Sequence, residues 1–347
     1  MQRQLTIEEA LQLPDALFID VRSPAEYEKE HIAGAINIPL FDNEERKRIG
    51  ILYKHISKGE AQKEGLKIAS SKLPALVQEI EKASSGRKAV LYCWRGGMRS
   101  KSISHILDLL NIPSYHLLGG YKAYRRYIYQ ALQNYKLNQK LVVLHGLTGV
   151  GKTRLLQMLK DDGQPVLDLE SLAGHRGSVF GHIGLPPQTS QKNFDALLYQ
   201  ELQMLSPYPY WILEGEGKKI GNIFLPPFLV KSMLEGYHLL LEAPLEIRVS
   251  RLVEEYTPLT EKDKKKAFEA LATLANRLGQ KRIDIMKNYL RENKLEQFIA
   301  ELCCYYYDQL YHDSKKSKNL FHAVIDASCL DEAADKVKKF IKNNLQQ

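Results

Sequence analysis

Lys88-Ala-Val-Leu-Tyr-Cys93-Trp-Arg-Gly-Gly-Met-Arg-Ser100 carries most of the structural information in the first half of this 347-residue chain. Ala89 to Tyr92 is a short apolar run and reads as a buried strand. Cys93 stands at its end, followed by Gly96 and Gly97. A helical pattern then begins, with Ile103, Ile106, Leu107 and Leu110 on one face. A cysteine between a strand end and a helix start faces the unpaired N–H groups of that helix. Arg95 and Arg99 add positive charge, and the glycines let several N–H groups turn toward one anion. These features favour the thiolate, so a reactive sulfur is expected at Cys93. The plainer alternative is an inert, packed strand-end cysteine.

Upstream, Ala16 to Asp20 reads as a strand, and Asp20-Val-Arg22 ends it in polar residues. Ser23-Pro24-Ala-Glu26 is a helix start, with a cap, a proline in the first turn and an acid behind it. His31 to Pro39 is strand-like with turn residues, and residues 42–87 are charged and mostly helical in pattern. Downstream, Ile112 to Leu117 is another strand candidate, closed by Gly119-Gly120. Strands alternating with helices imply a parallel α/β sheet with its chemistry at the carboxyl ends, where Asp20, Arg22 and Cys93 fall. Tyr121 to Lys136 is a basic, tyrosine-rich helix leading into the second half. Tyr121 and Tyr124 suit packing at a junction, and the cations suit phosphate contact.

Asp20-Val-Arg22-Ser-Pro-Ala-Glu26-Tyr27, His31-Ile-Ala-Gly34-Ala-Ile-Asn37-Ile-Pro39, the Cys93 loop and Leu118-Gly-Gly-Tyr121 together resemble a rhodanese domain. That resemblance implies sulfur transfer through a cysteine persulfide. One departure stands out. Common rhodaneses have four residues between the cysteine and the last basic residue of the loop. Here Cys93 and Arg99 are separated by five. Cysteine phosphatases use this wider spacing to hold a tetrahedral oxyanion, so a donor bearing a phosphate-like group is expected, with phosphatase chemistry as the other reading.

The second half opens on Leu141-Val-Val-Leu144, then Gly146-Leu-Thr-Gly149-Val-Gly151-Lys152-Thr153, then a helical pattern through Leu155, Leu156 and Leu159. This is G-x-x-x-x-G-K-T in its strand–loop–helix setting. Backbone N–H groups would surround a phosphate, Lys152 supplies a point charge, and Thr153 offers an oxygen to Mg²⁺. Tyr210 to Glu214 reads as a second strand ending in acids, so Glu214 or Glu216 could stand on the metal side. Asp168-Leu-Glu170…His175-Arg176-Gly177-Ser178 is a polar, glycine-punctuated loop, and Asp168, His175 and Arg176 are substrate-side candidates. Lys218-Lys219-Ile-Gly221 is a second such loop. His238 to Pro244, with Arg248 and Arg251, looks like the segment of small P-loop kinases in which arginines face the phosphates. Residues from Thr260 onward form a helical set carrying Lys264, Lys265, Lys266, Lys281, Arg282, Lys287 and Arg291.

Charge is uneven. Residues 1–140 carry net +7, residues 141–254 net −2 and residues 255–347 net +3. The basic balance permits a polyanionic partner. No apolar run reaches the ~20 residues needed to span a bilayer, and the first residues have no apolar signal core. A cytoplasmic location is therefore expected. Cys93, Cys303, Cys304 and Cys329 show neither disulfide-framework nor zinc spacing. Cys303 and Cys304 read as packing residues.

Taken together, the rhodanese-like half with Cys-Trp-Arg-Gly-Gly-Met-Arg-Ser and the P-loop half with Glu214-Gly-Glu216…Lys219-Ile-Gly221 resemble the tRNA 2-selenouridine synthase family. The expected fold class is α/β. A rhodanese-like parallel-sheet domain spans residues 1–125 and a helical linker 126–139. A P-loop NTPase-like domain spans 140–347, with a helical region at about 258–315. The resemblance implies conversion of wobble 2-thiouridine to 2-selenouridine in tRNAs of the Lys, Glu and Gln type. Geranyl diphosphate alkylates the sulfur, and selenium from selenophosphate then replaces the geranylated sulfur. Cys93, Arg95 and Arg99 are the catalytic candidates. Gly146, Gly149, Gly151, Lys152 and Thr153 are the phosphate-binding ones. Mg²⁺ on Thr153, a selenophosphate-producing enzyme as partner and a monomeric state complete the expectations. The competing reading is a small-molecule P-loop kinase with a regulatory rhodanese or phosphatase-like domain.

Overall fold

A computed structural model describes residues 3–181, 183–184, 188–257, 260–310 and 320–345. The chain forms two compact units, Met1–Asn134 with Asp195–Tyr199, and Tyr135–Phe194 with Gln200–Gln347. The helix Gly120–Gln133 falls in the first unit and buries Tyr121, Tyr124, Ile128 and Leu132 there.

The first unit is built on five strands: β1 (Arg3–Leu5), β2 (Ala16–Asp20), β3 (Ile36–Asn37), β4 (Lys88–Tyr92) and β5 (Ser114–Leu117). Their order is β1-β5-β4-β2-β3, and every pairing is parallel. Ala89, Val90, Leu91 and Tyr92 are all fully buried, as a central parallel strand covered on both faces must be. Helices Asn43–His55, Lys58–Ser84 and Met98–Leu109 supply the cover. Leu76, Ile80, Ile103 and Leu107 pack against Leu17, Ile19 and Leu91.

At the carboxyl edge Asp20 and Arg22 are both buried and form a bidentate ion pair, with Arg22 Nη2 2.6 Å from Asp20 Oδ2. The Arg22 guanidinium also donates to the Glu30 carbonyl and lies 4.6 Å from the centre of the Tyr121 ring. This buried pair is a structural clamp on the turn after β2.

The second unit has its own parallel sheet. In chain order the strands are β6 (Lys140–Gly146), β7 (Tyr210–Glu214), the short β8 (Lys219–Ile220) and β9 (Ile223–Phe224), β10 (Tyr237–Glu242) and β11 (Ala323–Asp326). The main order is β11-β10-β6-β7, all parallel, and β8 and β9 make a separate antiparallel ribbon. Val166 adds a parallel bridge to Ile212 on the outer side of β7. The phosphate-loop strand β6 is thus interior, flanked by β7 and β10.

A second core lies among helices Leu245–Tyr256, Glu261–Thr273, Gln280–Arg291 and Leu295–Leu302, where Leu252, Leu271, Met286, Phe298 and Leu302 meet. These helices fill the region expected to be helical; its ends at 258–259 and 311–315 lie outside the described residues. Cys303 and Cys304 begin a π-helical turn, Cys303–Tyr307; Cys303 is buried, and burial pushes its thiol up to about 12. Three cations from the basic set are already engaged: Lys264 pairs with Glu261, Arg282 lies over the Tyr305 ring and near Glu301, and Arg291 donates to Asn288 and lies over the Phe268 ring.

Two glycines interlock the β5 turn with the Cys93 loop. A Cβ at Gly120 (φ +55°) would sit 2.1 Å from the Cys93 carbonyl oxygen, and one at Gly96 (φ +60°) would sit 2.6 Å from that of Leu117. Gly97 has open space around it and a negative φ. Gly120→Ala should therefore lower stability by about 2–4 kcal/mol in urea unfolding, whereas Gly97→Ala should change it by under about 1 kcal/mol. Equal effects would show that the interlock does not exist.

Candidate functional site

The first candidate site is the turn from β4 into helix Met98–Leu109. Cys93 lies at its base and is only 4% exposed. Gly97 N–H and Ser100 O–H each lie 3.2 Å from Cys93 Sγ in donating geometry. The loop backbone is held from behind, because Tyr121 N–H donates to the Cys93 carbonyl and Lys122 N–H to that of Trp94. This anchoring explains why the Leu118-Gly119-Gly120-Tyr121 turn accompanies the cysteine loop.

The two loop arginines differ. Arg95 is exposed at the rim. Arg99 is paired in bidentate fashion with Glu26, at 2.6 and 3.2 Å. Glu26 also accepts from Ser23 N–H and lies 3.5 Å from Arg46. Burial would raise the Glu26 carboxyl, but the Arg99 hydrogen bond and charge hold it below the usual carboxylate range. Arg99 thus fastens the loop to the helix start at Ser23, and Arg95 is the loop cation left facing outward. Sequence spacing alone grouped both arginines with the sulfur; the acid that claims Arg99 stands 73 residues earlier in the chain.

The second site is the phosphate loop. Gly146, Gly149 and Gly151 all have positive φ, and a Cβ at any of them would meet atoms closer than 3 Å. Lys152 Nζ donates to the Gly146 carbonyl at 2.8 Å. Burial lowers the Lys152 ammonium, against the opposing charges of Glu170 and Glu216. Thr153 Oγ1 lies 3.5 Å from Glu170 Oε2. Glu214 accepts from Glu170 N–H through Oε1, and its Oε2 is buried without a partner. Burial and then the Asp168 charge push Glu214 up to about 8. Burial and the neighbouring Glu216 and Glu214 charges likewise raise Glu170. Three carboxyls thus surround the lysine, and Glu170, named only as part of a motif in the sequence, is central among them.

The other candidates hold the surrounding loop. Asp168 caps the helix Leu169–Ala173 by accepting from Ser171 N–H. His175 Nδ1 accepts from Gly177 N–H. Arg176 donates to the Ile183 carbonyl and pairs with Glu255 at 2.6 Å. Arg248 and Arg251 line the same cleft as the phosphate loop. Arg248 donates to the Thr148 carbonyl and pairs with Asp308, and Arg251 donates to the carbonyls of Val150, Ala327 and Ser328. They brace the loop through its carbonyls, leaving its N–H groups for an anion.

The cradle opens into a cleft of about 1340 Å³. Its lining combines the phosphate loop, Glu170 and Glu216 with the apolar and aromatic side chains of Leu245, Leu252, Tyr256, Tyr306 and Tyr307, and with Arg176, Arg248 and Arg251. Among the described residues no group of three or more His, Cys, Asp or Glu forms a complete metal site. No helix among them is long and apolar enough to cross a membrane.

Comparison with known proteins divides the chain in the same way. Residues 5–127 match the rhodanese-like domain, and residues 139–347 match the tRNA 2-selenouridine synthase AAA domain. The chain is 35% identical over 321 residues to the tRNA 2-selenouridine synthase of Sulfurovum sp. (strain NBC37-1), covering 84% of this chain and 87% of that protein. It is 30% identical over 358 residues to that of Nitrosomonas europaea, covering 90% and 92%. A solved N-terminal domain of an ATP/GTP binding protein from Clostridium difficile 630 is 43% identical, covers 36% of this chain and 98% of that domain, and has a TM-score of 0.35.

The raised carboxyls give a pH signature. A carboxyl raised in the folded state contributes stability that is full below its unfolded value and is lost as pH rises through its folded value. Thermal stability of the ligand-free chain should therefore fall between about pH 5 and pH 8. Glu214→Gln should flatten that slope. An unchanged slope in the variant would mean that Glu214 ionises normally.

Proposed function

Since the chain belongs to the tRNA 2-selenouridine synthase family, we propose that it converts 2-thiouridine to 2-selenouridine in tRNA, through an S-geranylated intermediate. One observation carries the choice of cosubstrate. The phosphate cradle and a set of apolar and aromatic side chains line the same cleft. A diphosphate joined to a hydrocarbon chain suits that mixed lining; a small polar kinase acceptor would leave its apolar residues without a partner.

In this reading the thione sulfur attacks the first carbon of the geranyl group, and the carbon–oxygen bond breaks with the electron pair leaving on diphosphate. N–H groups of Gly146–Thr153 and the Lys152 ammonium take up that charge. The donor set also suits Mg²⁺: the Thr153 hydroxyl stands beside Glu170, and Glu214 carries an unpartnered buried oxygen. Thr153 and one carboxylate would hold it, with water and diphosphate oxygens completing the shell. When bound, Mg²⁺ supplies further charge neutralisation at the leaving group.

Alkylation turns the sulfur into a departing thiol. Selenium of selenophosphate then forms the new bond to the base carbon as the carbon–sulfur bond breaks and geranylthiol leaves, and water cleaves the phosphorus–selenium bond to release phosphate. The Cys93 loop receives the selenium donor: Gly97 N–H and Ser100 O–H converge on the sulfur, and Arg95 stands at the rim. The tRNA contributes its wobble uridine, and an enzyme that makes selenophosphate must operate upstream.

The two sites should separate by mutation. Lys152→Ala should reduce geranylation at least about 100-fold, the scale of losing a charged transition-state contact, while selenation of pre-geranylated tRNA survives. Cys93→Ala should do the converse. Nucleoside mass spectrometry reads both products. Equal loss of both steps in either variant would defeat this division.

A further inference from the structure

Three elements converge behind the reacting sulfur. Cys93 ends β4, Ser100 lies in the first turn of helix Met98–Leu109, and His116 lies on β5. Ser100 Oγ is 3.2 Å from Cys93 Sγ and 3.2 Å from His116 Nε2. Ser100 and His116 are 0% and 2% exposed. Nothing in the proposed reaction has yet used the histidine, although burying an imidazole beside a sulfur site is costly unless it is paired.

We propose that His116 is a positioning residue for Cys93 and acts through Ser100. Its Nε2–H donates to Ser100 Oγ, so the serine hydroxyl must spend its own proton on the cysteine sulfur. A hydroxyl has one proton to give. Three acceptors compete for that of Ser100: Cys93 Sγ, the Gly97 carbonyl at 3.5 Å and, if unprotonated, His116 Nε2. A proton on Nε2 removes the ring from the competition. Of the remaining two, the sulfur has the shorter contact.

His116 Nδ1 is buried with no hydrogen bond of adequate geometry. Ser100 Oγ, 3.2 Å from Nε2, is the hydrogen-bond partner the ring has, and the proposal puts the single proton of the neutral ring on that nitrogen. Burial keeps the ring neutral, assisted by Lys101 and His105 on the neighbouring helix and opposed by the Gly96 backbone. The strands on either side place Gln4 and Leu91 opposite His116 in register, and neither carries a charge.

The proposal rests on Cys93 being the reacting sulfur, which the selenation assay of Cys93→Ala tests separately. Its own test needs no selenium donor. The rate of alkylation of Cys93 by iodoacetamide is followed against pH in the full chain, by mass spectrometry of the Cys93 peptide; this separates it from the exposed Cys329. Ser100→Ala and His116→Leu should each slow alkylation at neutral pH about tenfold, the scale of one hydrogen bond to a charged group, and move the profile to higher pH. The double variant should be no slower than either single one. His116→Gln, which keeps an N–H donor, should restore most of the rate. A wild-type profile in His116→Leu, or effects that multiply in the double variant, would overturn the proposal. Should His116→Leu fail to fold, ¹⁵N chemical shifts of the wild-type imidazole decide the matter: protonation at Nε2 supports it and protonation at Nδ1 sinks it.

Discussion

Both candidate loops face the same constraint. Each leaves a central parallel strand whose side chains are buried on both faces, and each must turn within a few residues into the N-terminus of a helix. Such a turn leaves backbone N–H groups without helical partners, and those groups are what an anion meets. The chain has to pass so close to its neighbours that only glycine fits. Gly96 and Gly120 touch across the cysteine loop, and Gly146 and Gly149 touch Leu241 and Leu252 around the phosphate loop. The anion sites follow from packing at the strand ends.

Electrostatics then sets the two loops apart. In the first unit two arginines beside the cysteine loop are spent on acids. Arg22 is locked to Asp20 and Arg99 to Glu26. Removing one partner of a buried pair such as Asp20–Arg22 costs about 3–5 kcal/mol, because the other charge is stranded. These arginines therefore set the shape of the turn after β2 and the angle at which the Cys93 loop meets helix Pro24–Lys29. In the second unit the imbalance runs the other way: Glu170, Glu214 and Glu216 gather around one buried lysine, and burial raises all three carboxyls, with neighbouring acid charges adding to it at Glu170 and Glu214.

Much of this was legible in the residues. The apolar run before Cys93, the paired glycines after it and the G-x-x-x-x-G-K-T loop each encode a strand, a turn and a helix start in consecutive positions. Local backbone rules read such stretches directly. Ser23-Pro24-Ala-Glu26 was equally plain as a helix start, yet its acid has a second role that no local rule contains: it holds Arg99. The same limit applies to Arg248 and Arg251, whose hydrogen bonds to phosphate-loop carbonyls about 100 residues away no local rule contains.

By itself, the order of residues determined that there are two α/β halves, that each carries a glycine-rich turn from a strand into a helix, and that one turn bears a sulfur and the other a lysine and a threonine. These depend on hydrophobic runs, glycines and caps, whose effects act over a few residues. Only the tertiary structure decided which charged groups remain free, that His116 stands behind Ser100, and that the phosphate loop shares a cleft with apolar and aromatic side chains. Those facts depend on side chains brought together from distant strands and helices, and pairing, burial and cavity shape arise only once the chain has closed on itself.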